Sequence, residues 1–486
     1  MARNARDHSV LAAFGAHHRG RTRVVLLGLD PPGNHRVIKP LVEGDEALVL
    51  GLGLYGVAVA RALRSRGISV TVAEDRPTDL TATLAEELDV TLLAEPAVEA
   101  LVEALARADA FVPSPGVPQQ HGAFAAAVAT GVPTISEFDM ARWWDNRPIV
   151  AITGTDGKTT VTMLTVEMLQ RSGVAAAAAG NNDLPLIEAI DDPQTAVFVV
   201  EASSFRLAHT QRFAPRAAAW LNFAPDHLDV HLDLTSYEDA KASIWADLPV
   251  GGLAVATLAD PTVMKHVPTD RRVSTIGLTE GTSRVVGDEL SIDDVPICRI
   301  DELPRHFDHD ITNTLTAATL ALELGATRTG VRDAIMSSEA LPHRIQFVET
   351  IEGIDFYNDS KATVPHAVVT ATGSFDSVIL IAGGRNKGLD LRDMASRSPS
   401  VREVVAIGEA APDIESAFGG LAPTVVAQDM RDAIRIAFRI ADPGEVVLLS
   451  PGCASYDSYT SYVARGEDFI GLVAELAKDQ RDGDNP

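Results

Sequence analysis

The chain has 486 residues, 46% hydrophobic and 22% charged, the balance of a water-soluble globular protein with core enough for roughly three domains. Its formal net charge of −26 argues against a nucleic-acid or anionic-membrane surface, so an anionic ligand must meet locally placed lysines and arginines. Cys298 and Cys453 are far apart and lack metal-ligand spacing, which disfavours a disulfide framework. With no membrane-length apolar run and no secretory core behind the polar start, a cytoplasmic protein that is not membrane-embedded is expected.

Residues 1–45 read as an extension of uncertain order: a candidate strand over 24–29 lies between arginine-rich and Pro31-Pro32-Gly33-Asn34 punctuation. A first domain is expected over 46–140. The strand at 48–50 runs into Gly51-Leu-Gly53-Leu54-Tyr55-Gly56, a helix follows to about 66, and a strand over 68–72 ends at Glu74-Asp75. That is a dinucleotide-type fingerprint, which by itself certifies only a strand–helix turn suited to a diphosphate. A helix over 99–107 and a strand over 110–112 then deliver Ser114-Pro115-Gly116-Val117 to a strand end, where ligands sit in open α/β sheets.

The second domain, expected over 141–340, carries the sharpest signal. An apolar strand over 149–152 leads into Gly154-Thr155-Asp156-Gly157-Lys158-Thr159-Thr160 and a helix over 161–169. Loop amides, helix dipole and a mobile lysine converge on an anion there, and the Thr159 hydroxyl suits Mg²⁺. Only two residues separate the first glycine from the Gly-Lys pair, fewer than the general nucleotide loop has. Strands over 196–200 and 217–221 place Glu201-Ala-Ser-Ser-Phe205 and Asp226-His227-Leu-Asp229 on the same sheet edge. Lys241 lies on a helix over 236–248, and Asn313 near the start of another over 309–324.

A third α/β domain is expected over 341–486, opening on Leu341-Pro-His343-Arg344 and a hairpin over 346–357. Its strands end in polar loops: Asn358-Asp359-Ser360-Lys361-Ala362-Thr363, Gly383-Gly384-Arg385-Asn386-Lys387, and Ser450-Pro451-Gly452-Cys453-Ala454-Ser455, with a closing helix from about 459. The fold class is therefore α/β: a Rossmann-like first domain, a central P-loop ATPase domain on a parallel sheet, and a Rossmann-like C-terminal domain.

These loops, taken in order, resemble the Mur ligase family, and Leu449-Ser-Pro-Gly-Cys-Ala-Ser455 resembles its D-glutamate-adding branch. The resemblance implies a monomeric ATP-dependent ligase joining D-glutamate to UDP-N-acetylmuramoyl-L-alanine through an acyl phosphate, with two Mg²⁺ ions. It assigns Gly154 to Thr160, Asn313, Arg344 and Asp359 to ATP. Thr159, Glu201, His227 and a carbamylated Lys241 fall to the metals. The catalytic set is Lys158, Glu201, His227, Lys241 and Lys361. Substrate contacts fall to Gly53, Leu54, Tyr55, Glu74, Arg76, Ser114, Gly116 and Asn181. Lys361, Thr363, Lys387, Ser455 and Tyr462 would hold the amino acid. Asp156 stands where the family most often has asparagine, Val364 where it has asparagine, and Tyr55 where it has a smaller hydroxyl residue.

Alternatives are another Mur ligase or a folylpolyglutamate synthetase-like ligase, which lacks such a first domain. An NAD-dependent oxidoreductase would explain 51–74 only. A non-catalytic nucleotide-binding protein would have no need of Glu201, His227, Lys361 and Lys387 together.

Overall fold

The computed structural model describes residues 38–181, 184–338 and 341–483. The candidate strand over 24–29, and Asn182, lie outside the described residues. Residues 38–45, expected to belong to an extension, instead pack on the first domain. Leu41 is buried in its core, and the Asp45 carboxylate accepts from Lys39 Nζ at 3.1 Å and from the Val42 amide at 2.9 Å.

Among the described residues the strands form three sheets. In the first, β1 (Glu46–Leu50), β2 (Ser69–Glu74), β3 (Thr91–Ala94) and β4 (Ala110–Pro113) run parallel in the order β3-β2-β1-β4. The helix Leu54–Arg64 leaves β1 through the glycine turn. A Cβ on Gly56 would fall 2.0 Å from the Gly51 carbonyl oxygen, so glycine is what lets helix and turn meet.

The central sheet contains β5 (Ile149–Thr153), β6 (Ala176–Gly180), β7 (Val197–Glu201), β8 (Ala217–Trp220), β9 (Leu253–Thr257) and β10 (Arg272–Ile276). It is extended at one edge by the antiparallel strands β11 (Ser283–Val286), β12 (Glu289–Ile292) and β13 (Val295–Arg299). Its order is β13-β12-β11-β10-β9-β8-β5-β7-β6. Strands β5, β7 and β8 are buried throughout, as uninterrupted Val, Ile and Ala runs require when helices cover both faces. Because β5, β7 and β8 are parallel, their carboxyl ends share one edge, and the loops carrying Lys158, Glu201 and His227 rise from it.

The third sheet comprises β14 (Gln346–Ile351), β15 (Ile354–Asn358), β16 (Val378–Gly383), β17 (Val401–Ile407), β18 (Thr424–Val426) and β19 (Val446–Gly452). They lie in the order β14-β15-β19-β16-β17-β18, the first pair an antiparallel hairpin and the rest parallel.

One apolar cluster runs from the first sheet through the helix Glu137–Trp144 to a face of the central sheet. It includes Val49, Ile135, Phe138, Ala151 and Trp220. The first two domains therefore share a core. The third sheet has clusters of its own on its two faces and meets the central domain at the edge-to-face pair Phe307–Phe375. The family-like loops of the central and third domains face each other across that junction.

Candidate active site

The loop after β5 is held from below. Asn222, which follows β8, accepts from the Thr155 and Asp156 amides through Oδ1, both at 2.9 Å, and donates to the Asp156 carbonyl at 3.2 Å. The Thr155 hydroxyl accepts from the Ala224 amide at 2.9 Å. Gly157 caps the helix Lys158–Arg171 with φ +82°, and a Cβ there would come within 2.9 Å of Asn313 Oδ1. Both conformation and space demand glycine. The helix starts at Lys158 rather than 161, so Thr159 and Thr160 sit in its first turn, beside an anion-favouring N-terminus. Lys158 Nζ donates to the Gly154 and Thr155 carbonyls at 2.8 and 2.9 Å. Burial lowers its pKa against the raising effect of Glu201, Asp156 and Asp226.

Asp156 meets cations, as a carboxylate near phosphates must. Its Oδ2 lies 2.7 Å from His366 Nδ1 of the C-terminal domain. Burial pushes its pKa up, but the His366 bond and the charges of His366, Lys158 and Arg344 outweigh burial and hold it below the usual range.

Glu201 ends β7 buried, its Oε1 accepting from Asn181 Nδ2 at 3.2 Å. His227 sits at φ +57° with Nε2 3.2 Å from Asp226 Oδ2. Burial lowers the His227 pKa despite Asp226, with Lys158, Lys241 and Lys387 adding to the effect, so the imidazole is poised neutral, the form that ligates metal. Lys241 lies fully buried on the helix Leu234–Ala242, donating to the Gly154 carbonyl at 2.7 Å with Nζ 4.7 Å from the Tyr237 ring centre. Burial, then the Lys158 charge, drives its pKa well down, which favours the nucleophilic free amine.

A cavity of about 310 Å³ gathers the loop, Glu201 and His227 with groups of the third domain, while Lys241 lies behind its lining. Thr155 to Thr160, Asn181, Glu201, His227, Asn313, Arg344, Asp359, Lys361, Thr363 and Lys387 all line it. Asp359 is buried, accepting from the Ser450 hydroxyl at 2.7 Å and the Ile345 amide at 3.2 Å; burial nevertheless pushes its pKa up to about 7. Lys361 Nζ lies 3.9 Å above the Tyr462 ring. Tyr462 opens the last helix, Tyr462–Gly483, and its carbonyl accepts from the Ser360 hydroxyl at 2.8 Å. Ser455 is buried behind this wall, and neither it nor Tyr462 lines the cavity.

The turns singled out in the first domain lie at the carboxyl end of its sheet. Gly53 and Leu54 are exposed there, and Arg76 is exposed at the end of β2. Glu74 braces the glycine turn, accepting from the Leu52 amide at 2.9 Å and the Arg76 amide at 3.0 Å. Those bonds compete with the ribose contact a dinucleotide would ask of it. Ser114 donates to the Gly51 carbonyl at 3.2 Å, and Gly116 takes φ +85°. Tyr55 departs from expectation as a substrate contact. Its side chain is buried, its hydroxyl accepts from the Glu137 amide at 3.1 Å, and Arg206 packs 5.2 Å over its ring. The first domain touches the central one here: Gln119 donates its amide to the Val230 carbonyl at 2.9 Å and accepts from the Leu232 amide at 3.0 Å, in the loop that carries His227.

Several residues of the site were given no role of their own by the sequence. Asn222 and Asp226 line the cavity within stretches already singled out, and their place after β8 was the available signal. Arg305 also lines it, pairing with Asp310 at 2.7 Å and donating to the Ile345 carbonyl at 3.1 Å. Arg465, buried, ties Ser360 to the Cys453 carbonyl through bonds of 2.8 to 3.2 Å. No local pattern marks these arginines.

Family models match the chain in three consecutive blocks. Residues 45–136 match a Mur ligase MurD-like N-terminal domain, 152–320 a Mur ligase middle domain, and 343–453 a Mur ligase glutamate ligase domain. A UDP-N-acetylmuramoylalanine–D-glutamate ligase of Syntrophus aciditrophicus is 36% identical over 458 residues, covering 90% of this chain and 99% of the relative. One from Salinibacter ruber is 37% identical over 462 residues, covering 90% and 99%. The fold matches MurF ligase of Thermotoga maritima in complex with ADP, at TM-score 0.56 and 17% identity, over 90% of this chain and 96% of that one. It also matches a pseudomurein peptide ligase type C of Methanothermus fervidus, at TM-score 0.56 and 15% identity, over 89% and 100%. With all three of its domains matched in order, the chain belongs to the Mur ligase family.

Proposed function

We propose that this chain is an ATP-dependent amide ligase that adds D-glutamate to UDP-N-acetylmuramoyl-L-alanine in peptidoglycan precursor synthesis. The observation that carries the reading is the cavity between the central and third domains. There the phosphate loop and Lys158 share one lining with Glu201, His227, Lys361 and Lys387. Supporting it, the full-length relatives bear that name, and the first domain matches the MurD-like model.

Loop amides and Lys158 hold the β- and γ-phosphates, and Arg344 counters their charge from the opposite wall. The alanyl carboxylate attacks the γ-phosphorus, the bond to ADP breaks, and an acyl phosphate forms. The D-glutamate amine, having lost its proton, attacks the acyl carbon, and the tetrahedral adduct expels inorganic phosphate. Most of this is positioning and charge neutralisation. Lys361 and Lys387 supply the positive charge that an amino acid with two carboxylates requires, with Thr363 beside them. The first domain grips the uridine nucleotide at Gly53, Leu54, Ser114 and Gly116, with Arg76 at its rim.

The donor set fits Mg²⁺. Glu201 and Thr159 offer oxygen, and His227 offers a neutral nitrogen held by Asp226. Among the described residues no group of three or more His, Cys, Asp or Glu could hold a metal ion by itself; Mg²⁺ in nucleotide sites takes one or two protein ligands and completes its shell with water and phosphate oxygens. When bound, Mg²⁺ supplies charge neutralisation of the phosphates. Lys241 is the residue to be carbamylated: its buried amine adds to CO₂ and loses a proton, turning a neutral group beneath the loop into an anion. No helix among the described residues is long and apolar enough to cross a membrane, and a cytoplasmic location accompanies the proposed substrates.

The test is phosphate release with ATP, UDP-N-acetylmuramoyl-L-alanine and each candidate amino acid in turn. D-glutamate should support turnover, and L-glutamate should not. Equal or better turnover with L-alanine, lysine or diaminopimelate would overturn the assignment.

A further inference from the structure

Asp156 places a negative charge inside a loop built to receive a triphosphate. Its backbone is fixed from one side by Asn222, which binds both its amide and its carbonyl. Its side chain is fixed from the other side by a residue of a different domain, His366, with Nδ1 2.7 Å from Oδ2. His366 is the second residue of the helix Pro365–Thr372, which begins directly after Lys361-Ala-Thr363-Val364 in the cavity wall. The ring and carboxylate are both partly buried, at 19% and 29% side-chain exposure. Lys158 and Arg344 also act on Asp156 from the helix Lys158–Arg171 and from the segment before β14.

We propose that His366 is a positioning residue that makes ATP binding depend on docking of the C-terminal domain. When docked, its ring engages the Asp156 carboxylate and holds it off the phosphates. When the third domain moves away, that carboxylate loses its partner and opposes the triphosphate by like-charge repulsion. By linkage, ATP then favours the docked arrangement to the same degree. The pair ties the nucleotide loop to the helix beside the amino-acid site, so it reports one site's state to the other.

This inference rests on the reading of the loop as the ATP site. The test is a double-mutant cycle on the full chain with His366→Ala, Asp156→Asn and the pair combined, reading kcat, KM for ATP, and ADP affinity by calorimetry. His366→Ala alone should raise the ATP KM and weaken ADP by roughly tenfold, with a smaller change in kcat. On the Asp156→Asn background, the same histidine change should move both values by less than about twofold. If His366→Ala does not fold, His366→Leu, which fills the space without an N–H donor, takes its place in the cycle with the same sign expected. An equal effect on both backgrounds means His366 is merely structural and overturns the inference. So does a histidine change with no effect on nucleotide affinity. A parent protein that binds neither ATP nor ADP overturns the loop reading itself, a distinguishable failure.

Discussion

Lys241 has the most unusual surroundings of any lysine in the site: sealed from solvent, against the Tyr237 ring, hydrogen-bonded to the carbonyl of the first loop glycine. An ammonium there would repel both Lys158 and a metal, whereas a carbamate would serve them. Lys241→Ala should therefore lose nearly all turnover, on the order of a hundredfold or more, and recover part of it with acetate or formate in the assay. Rescue by a small amine alone would mean the lysine acts as a cation. At this scale the sequence was most informative where residue type and strand-end position coincided, as for Lys158, Glu201 and His227. It was least informative where a role exists only through contact. Arg465 acts by crossing to Ser360, 105 positions away, and the buried Tyr55 hydroxyl accepts from the Glu137 amide.

The phosphate loop and its helix are the element on which the chemistry depends, and their stereochemistry is narrow. Gly157 combines a left-handed φ with a 2.9 Å approach of a would-be Cβ to Asn313 Oδ1. Gly157→Ala should raise the ATP KM by about tenfold, the equivalent of ~1.4 kcal/mol of backbone strain and displacement, while leaving the amino-acid KM nearly unchanged. Steady-state titrations of each substrate check this. A proportional loss in all KM values would point instead to general disruption of the loop. Strand–loop–helix units with long apolar runs were legible, β5 and β7 among them. The stretch from β9 to β13 was not, nor were β3, β6 and β18. Strands β11 to β13 have four or five residues each, turn in quick succession and lie at a sheet edge. Their burial pattern is set by pairing and by the helix Asp308–Glu323 rather than by their own alternation.

Across the whole molecule the two junctions differ in kind. The first and central domains share an apolar core, and within it Arg206 Nε lies 3.0 Å from Glu137 Oε1, both side chains buried. The contact is an ion pair without hydrogen-bond alignment, while Glu137 Oε2 accepts from the Ile187 amide at 3.2 Å. Arg206→Met would strand that carboxylate and should cost about 3–5 kcal/mol, read as a lower urea midpoint. Arg206→Met with Glu137→Gln should recover much of it, and no recovery would mean the arginine contributes packing alone. The junction with the third domain is more polar, through Asp156–His366 and Arg305. The expected order of three α/β units was readable from the sequence. The sharing of one core by the first two was not, because it depends on how the helix Glu137–Trp144 lies between two sheets.

Isotope transfer tests most directly whether the three domains serve one acyl-phosphate transfer. UDP-N-acetylmuramoyl-L-alanine labelled with ¹⁸O in its alanyl carboxylate is incubated with the enzyme, ATP, Mg²⁺ and D-glutamate, and the released phosphate is analysed by mass spectrometry. Attack of that carboxylate on the γ-phosphorus predicts that one carboxylate oxygen leaves in each phosphate, with the other retained in the new amide. Amide product formed alongside unlabelled phosphate would contradict the account.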